Sequence, residues 1–176
     1  MTMTLVRPQP DEFAAYYQKY VQRVPDGDVV ELLARQIEDT AALLAGVKES
    51  DAGFRYAPGK WSIREVVGHL ADSERVFAYR ALRFARGDEM ALASFEQDAW
   101  MPVAGFDHRS LADLIAEYRD VRRSTLALVR SLDAAAFARA GTASGNRVTV
   151  CALVYIIAGH ERHHVAILRE RYGLGR

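Results

Sequence analysis

The last third of the chain carries an apolar seam with the heptad spacing of a packed helix. The seam positions step by three, four, three, four and three residues, and they are Val150, Leu153, Ile157, His160, His164 and Ile167. This is the a/d pattern with which a helix packs into a bundle. Two histidines therefore occupy successive core positions of one helix, which constrains both the fold and the chemistry of the chain.

Three further segments show helical periodicity, and each long helix begins at a residue that caps helices. The first pattern covers about 28–47. The second begins at Ser62, where Glu65 three residues later completes a capping box. The third begins at Ser110, and the fourth, which contains the seam, runs from Thr149 to about residue 172. These signals predict four long helices.

Long connections separate these helices. A loop rich in aromatic residues is expected at 88–109, and a second crossover contains a predicted short helix at 133–139. A short amphipathic segment at 11–21 precedes the first helix. No stretch alternates with period two over a useful length, so no sheet is expected. The sequence predicts an all-α fold, a four-helix bundle with long crossover loops, as a single domain over residues 1–176.

Composition and charge exclude several classes of protein. The 23 basic and 23 acidic side chains cancel, so the basic excess typical of nucleic-acid-binding proteins is absent. One cysteine, Cys151, cannot form an intramolecular disulfide, which fits a reducing compartment. The first ten residues, MTMTLVRPQP, lack the apolar core of a signal peptide, and the longest apolar run, 150–158, is too short to span a bilayer. We expect a cytoplasmic protein without nucleic-acid or membrane partners.

The two seam histidines favour a metal site. His160 and His164 lie four residues apart on one helix face, which places their Cβ atoms about 5–6 Å apart. A buried imidazole without partners costs about 1–3 kcal/mol, and a bound metal ion removes that cost. The alternative is a pair of core histidines that are hydrogen-bonded to Asp or Glu. His163 can also pair with His160 on spacing alone, but it lies off the seam, so the pattern favours His164.

A third ligand is expected from another helix. His69 is the candidate, because it lies on the second predicted helix at the border of the apolar stripe. His108 falls in the predicted loop and is expected to be solvated. Acidic ligands stay open at this point, since Glu65, Asp72 and Glu161 all lie within about one turn of a proposed ligand.

Several sequence elements, taken together and in order, resemble one family over nearly the whole chain. They are Tyr56-x-Pro58-x-Lys60-Trp61-Ser62, then Glu65, then His69-Leu70-Ala71-Asp72 and Glu74, then FDHRSLADLIAEYRDVR, and finally GHERHH. The chain resembles the DinB/YfiT-like metalloenzymes. The resemblance implies a four-helix bundle, often dimeric, with metal ligands at His69, His160 and His164, and this chain shows no departure from that ligand pattern.

The resemblance also implies a range of activities. The family includes thiol S-transferases that use bacillithiol, mycothiol or glutathione, thiol-dependent isomerases, and proteins described as metal-dependent hydrolases. Three histidines leave a coordination position open for a thiolate or for a water of lowered pKa. Zinc and nickel both accept imidazole, so the ligand set does not choose between them.

Our main expectation is a metal-dependent S-transferase that joins a low-molecular-weight thiol to small electrophiles. Glu65, Asp72 or Glu161 would orient a histidine N–H. The alternatives are a hydrolase with Glu161 as general base, a metal-binding stress protein without turnover, and a bundle with no metal. Tyr56, Trp61, Phe95 and Trp100 are candidates for the pocket wall or for the core.

Overall fold

The part of the chain that this computed structural model describes, residues 5–175, forms seven helices and one β-hairpin. The helices are α1 (Gln18–Val21), α2 (Val29–Ala45), α3 (Ile63–Ala85), α4 (Gln97–Ala104), α5 (Leu111–Arg130), α6 (Ala134–Ala138) and α7 (Val150–Glu170). The strands are β1 (Ala140–Ala143) and β2 (Asn146–Thr149). Short 3-10 turns lie at Pro10–Glu12, Ala15–Tyr17, Glu49–Asp51 and Phe106–His108.

The four long helices begin where the capping residues predict. The side chains of Asp28, Ser62, Ser110 and Thr149 each accept a hydrogen bond from a backbone N–H of the first turn. Such bonds satisfy donors that have no partner within the helix. The capping box of α3 is complete, because the Glu65 carboxylate also accepts from the backbone N–H of Ser62 at 2.7 Å. The predicted four-helix bundle is confirmed.

The bundle places α3 and α7 side by side. Both α2 and α3 pack against α5 and α7, while the short α1 packs across α7. Gly159 allows this last contact, because a Cβ at that position would overlap with the backbone carbonyl of Tyr20. The α3–α7 contact matters most for function, since these two helices carry the candidate ligands.

The crossovers contain more structure than the sequence predicts. The expected loop at 88–109 includes α4 and a 3-10 turn. No side-chain hydrogen bond caps α4, and Pro102 lies inside it, so the sequence carries no clear start signal. The segment at 11–21 is divided between two 3-10 turns and α1. The short helix predicted at 133–139 is present as α6, capped by Asp133.

A small antiparallel sheet corrects the expectation that the chain has none. β1 pairs with β2 in a register that joins Ala140 to Thr149 and Ala143 to Asn146. Ser144 and Gly145 connect them with φ values of 52° and 74°, the positive angles of a type I′ hairpin turn. β2 leads directly into the N-cap of α7 and therefore fixes where that helix begins.

Two sequence predictions reach beyond the described residues. Residues 1–4 and 176 lie outside them. The structure therefore does not describe part of the segment on which the signal-peptide prediction rests. It also does not describe the two ends of the predicted 1–176 domain. Within residues 5–175, no helix is long and apolar enough to cross a membrane.

Candidate metal centre

The structure brings His69, His160 and His164 together between α3 and α7. One ring nitrogen from each histidine lies within 4.8 Å of those of the other two. Nε2 of His69 and Nε2 of His160 are 3.1 Å apart. The exposed fractions are 4, 5 and 9%, so all three rings are buried. The sequence reasoning placed two of them on one seam, and the fold supplies the third.

Aromatic rings enclose this cluster. The indole of Trp61 lies 4.7 Å from the ring of His69, centroid to centroid, and stacks at 6.4 Å on His164. Tyr20 contacts the ring of His160 edge-on at 5.2 Å. The hydroxyl of Ser73 lies 3.3 Å from Nδ1 and 3.4 Å from Nε2 of His69. This surrounding shell keeps the imidazoles largely out of contact with water.

The imidazoles are held in the neutral state. Burial lowers the pKa of His69 to about 4. Burial, followed by repulsion from the neighbouring histidines, lowers the pKa values of His160 and His164 well below the ordinary range. Within residues 5–175, no carboxylate joins the group of three. Neutral nitrogens without an acidic partner suit a divalent cation, because metal ligation requires the deprotonated imidazole.

The other two histidines lie outside the cluster. His163 contacts the rings of Tyr20 and His164, at 5.3 and 5.2 Å, but none of its nitrogens belongs to the group of three. Its Nδ1 is buried and has no hydrogen-bond partner among the described residues. His108 is exposed in a 3-10 turn, as expected of a solvated residue.

The structure does not bring Glu161 to the histidines. Its side chain is 1% exposed and binds residues of α2 and α5. It accepts hydrogen bonds from Thr40 Oγ1 at 2.6 Å, from Gln36 Nε2, and from Arg122 Nη2 at 2.8 Å. Arg122 also binds both carboxylate oxygens of Glu74, at 2.8 and 2.7 Å. The expected general base is therefore part of a buried ion-pair network.

Glu65 and Asp72 are also engaged elsewhere. The Glu65 carboxylate accepts from the N–H of Ser62 and pairs with Arg55. Asp72 pairs with Arg75 at 3.1 Å, and burial raises the pKa of its carboxyl group. Neither carboxylate hydrogen-bonds to a histidine in the part of the chain described.

Two cavities reach the cluster from different sides. One of about 380 Å³ has His164 in its wall, and the other, of about 240 Å³, has His160. Asp98 of α4 lines both cavities. The sequence reasoning missed Asp98, because it interpreted 88–109 as a loop in which only the aromatic content was a signal. Two larger cavities, about 730 and 480 Å³, have none of the three histidines in their walls.

Comparison with known proteins identifies the family. A family model described as the DinB superfamily matches residues 32–168, which include all three histidines. The chain belongs to the DinB superfamily. A relative from Geobacillus thermodenitrificans, named "Putative metal-dependent hydrolase", is 30% identical over 158 residues, covering 83% of this chain and 86% of that protein.

Solved structures share the fold. YfiT from Bacillus subtilis, described as a probable metal-dependent hydrolase with an unusual four-helix bundle topology, matches with a TM-score of 0.71 and 21% identity over 96% of this chain and 94% of its own. The mycothiol-dependent maleylpyruvate isomerase matches with a TM-score of 0.66 and 15% identity, over 82% of this chain and 61% of its own. At these identities the matches show the fold alone.

Acid is expected to destabilise the metal-free protein through the histidine cluster. The pKa of His69 is about 4 in the folded protein and about 6.5 in an unfolded chain. At pH values between these two, the unfolded state therefore binds more protons than the folded state. Stability therefore falls as the pH drops from about 6.5 towards 4, and His69 alone contributes about 3 kcal/mol. Urea unfolding of metal-free protein across this range measures the effect. A His69→Gln variant with an equally steep pH dependence would contradict it.

Proposed function

We propose that this protein is a metal-dependent enzyme that transfers a low-molecular-weight thiol to small electrophiles. The observation that carries the proposal is a buried group of three neutral imidazoles with a cavity on each of two sides. His69, His160 and His164 would hold one divalent ion, zinc or nickel. Three protein ligands are typical of catalytic sites, whereas structural sites are usually closed by four.

The bound ion would supply a Lewis acid with an open coordination position, which lowers the pKa of a thiol that binds there. The residues of the chain do the rest. Trp61 and Tyr20 exclude water from the imidazoles, and Ser73 contacts Nδ1 of His69 and so helps to hold that ring in place. In the transfer, the thiol releases its proton to solvent, the sulfur forms a bond to the electrophilic carbon, and the leaving group departs with the bonding electron pair.

The contacts of Glu161 favour thiol transfer over hydrolysis. Hydrolysis needs a general base close to the reacting water. Both oxygens of the expected base, Glu161, are occupied by Thr40, Gln36 and Arg122. A thiol ionises far more readily than water, so it needs less help from a base. The mycothiol-dependent isomerase further shows that a protein of this fold uses a thiol.

The proposal is tested with zinc- and nickel-loaded protein prepared without a polyhistidine tag. Glutathione and bacillithiol are each incubated with chlorodinitrobenzene and a panel of other electrophiles, and adducts are quantified by mass spectrometry. We expect adduct formation at least about 100-fold faster than with metal-free protein, the lower range of what a positioned catalytic group contributes. Equal rates for loaded and metal-free protein with every thiol would refute the proposal.

A metal-dependent hydrolase is the second candidate, favoured by the name of the Geobacillus relative. Asp98 is the carboxylate best placed for it, because it lines both cavities beside His160 and His164. An ester and amide panel separates the two activities. Hydrolysis that is lost in Asp98→Asn while metal content is retained would support the hydrolase, and activity that survives the substitution would remove Asp98 as its base. Metal binding without either activity would support the non-catalytic alternative.

A further inference from the structure

Two cavities beside the histidine cluster meet at helix α4. Its residue Asp98 lines both, while His160 belongs to one wall and His164 to the other. A molecule in either cavity would therefore approach the same centre from its own side. A transferase has two cosubstrates to accommodate, and the linings of the two cavities differ in chemistry.

The cavity on the His160 side is aromatic and acidic. Its walls include Tyr16, Tyr17, Tyr20, Phe77 and Phe95. Glu96 and Asp98 contribute two carboxylates, and no lysine or arginine lines the cavity. Two cations lie behind its wall, where Lys19 packs 3.8 Å over the ring of Tyr16 and Arg80 donates to Ser144. Aromatic walls bind flat apolar groups. Glu96 and Asp98 form no ion pair within residues 5–175, so their carboxylates disfavour an anionic molecule in this cavity. This side suits an uncharged aromatic electrophile.

The cavity on the His164 side carries a basic group. Lys60 lines it together with Tyr56, Trp61 and Tyr172, and the shared Asp98 is its only acid. No ion pair of the Lys60 ammonium occurs within residues 5–175, and the backbone carbonyl of Lys60 is held by Arg55 at 2.8 Å. The next residue, Trp61, stacks on His164. The backbone of Lys60 is thus held next to Trp61, while its side chain is exposed at the cavity.

We propose that the His164 side binds a carboxylate-bearing thiol through Lys60, and that the His160 side binds the electrophile. This inference rests on the proposed function and specifies its cosubstrate class. An ammonium beside a carboxylate gives a charge-assisted hydrogen bond, about twice as strong as a neutral one. Asp98 lines both cavities, so its charge does not favour one cavity over the other. Lys60 and Glu96 each line only one of them, and their opposite charges distinguish the two cavities. A thiol with free carboxylates is accepted on one side and repelled on the other.

Binding measurements test the thiol half of the proposal. Isothermal titration compares three ligands, of which the first is glutathione. S-Methylglutathione keeps the carboxylates but has no free thiol, and mercaptoethanol has a thiol but no carboxylate. Both metal-loaded and metal-free protein are titrated. Lys60→Met is expected to weaken the binding of glutathione and of S-methylglutathione at least about tenfold, because a charged hydrogen bond is lost. The affinity for mercaptoethanol should stay unchanged. Lys48→Met, which removes an exposed lysine that does not line this cavity, is the matched control.

A second variant tests the electrophile half. Phe95→Ala is expected to raise the KM for chlorodinitrobenzene several-fold while the affinity for S-methylglutathione stays unchanged. Unchanged glutathione affinity in Lys60→Met would overturn the inference, even if adduct formation continued at the wild-type rate and the proposed transferase activity stood. Absence of any metal-dependent adduct would overturn the transferase itself, whereas S-methylglutathione binding that depends on Lys60 would still assign the carboxylate site.

Discussion

Replacing Arg122 with alanine is expected to lower the free energy of unfolding by about 3–5 kcal/mol. Its guanidinium is 1% exposed and binds two carboxylates, Glu74 on α3 and Glu161 on α7. It also donates to the backbone carbonyl of Leu33 on α2 at 2.9 Å. Without the arginine, two buried carboxylates lose their cationic partner, and the cost is that of uncompensated buried charge.

Arg123 offers a matched control in the same helix. Its side chain is 76% exposed and pairs with Asp120 at 2.9 Å, so Arg123→Ala is expected to cost less than about 0.5 kcal/mol. Urea unfolding of both variants, followed by circular dichroism in metal-free buffer, gives the comparison. If Arg122→Ala lowered the free energy of unfolding by less than about 1 kcal/mol, the buried ion pairs would not stabilise the fold as described. Replacing Arg122, Glu74 and Glu161 together with apolar residues of similar size should recover much of the stability.

This network also bears on the histidines. Glu161 follows His160 directly in α7, and Glu74 follows Ser73, which contacts His69, in α3. The Arg122 guanidinium joins these two glutamates and thereby links α3 to α7. The two helices that it links carry the three histidines. These contacts favour a positioning role for Glu161 over the catalytic one expected from the sequence.

The long helices were predictable because their signals are local. Asp28, Ser62, Ser110 and Thr149 each bond to a backbone N–H two or three residues away, so a short window of sequence contains the whole interaction. The apolar seam around His160 is also local to one helix. Such patterns identify the helices and the inward side of α7 without knowledge of their neighbours.

The role of Glu161 was not predictable in this way. A position one residue from His160 is rotated by about 100° around the helix, so it faces different neighbours. Its partners Gln36, Thr40 and Arg122 lie on two other helices, between 39 and 125 residues away in the chain. The sequence alone does not show whether a charged side chain is buried or solvated. Helix α4 was missed for a related reason, since it has no side-chain cap and contains a proline.

Replacing His160 with alanine is expected to weaken metal binding by more than about 100-fold, since even the loss of a residue that only supports a ligand costs 10–100-fold. His160 lies close to both other histidines of the group. Its Nε2 lies 3.1 Å from that of His69, and its ring centroid lies 4.6 Å from that of His164. Elemental analysis of untagged protein and competition titration with zinc give the stoichiometry and the affinity.

His163→Ala is the matched control, because it removes an imidazole from the same helix that does not belong to the group of three. It should retain the metal content of the wild type. Saturating metal should raise the Tm of wild type and of His163→Ala, but not that of His160→Ala, since an ion stabilises only the fold that binds it. Equal metal loss in both variants would mean that the site is not the one described.

His69→Ala separates the two arguments on which the site rests. The α7 pair follows from the seam, whereas His69 was selected mainly by family resemblance before the fold placed it beside them. If the three imidazoles bind one ion, His69→Ala should lose metal as completely as His160→Ala. If His69→Ala kept its metal while His160→Ala lost it, the ion would be held by the α7 pair with a different third ligand. Asp98, which lines the cavities beside both of these histidines, would be the first residue to test.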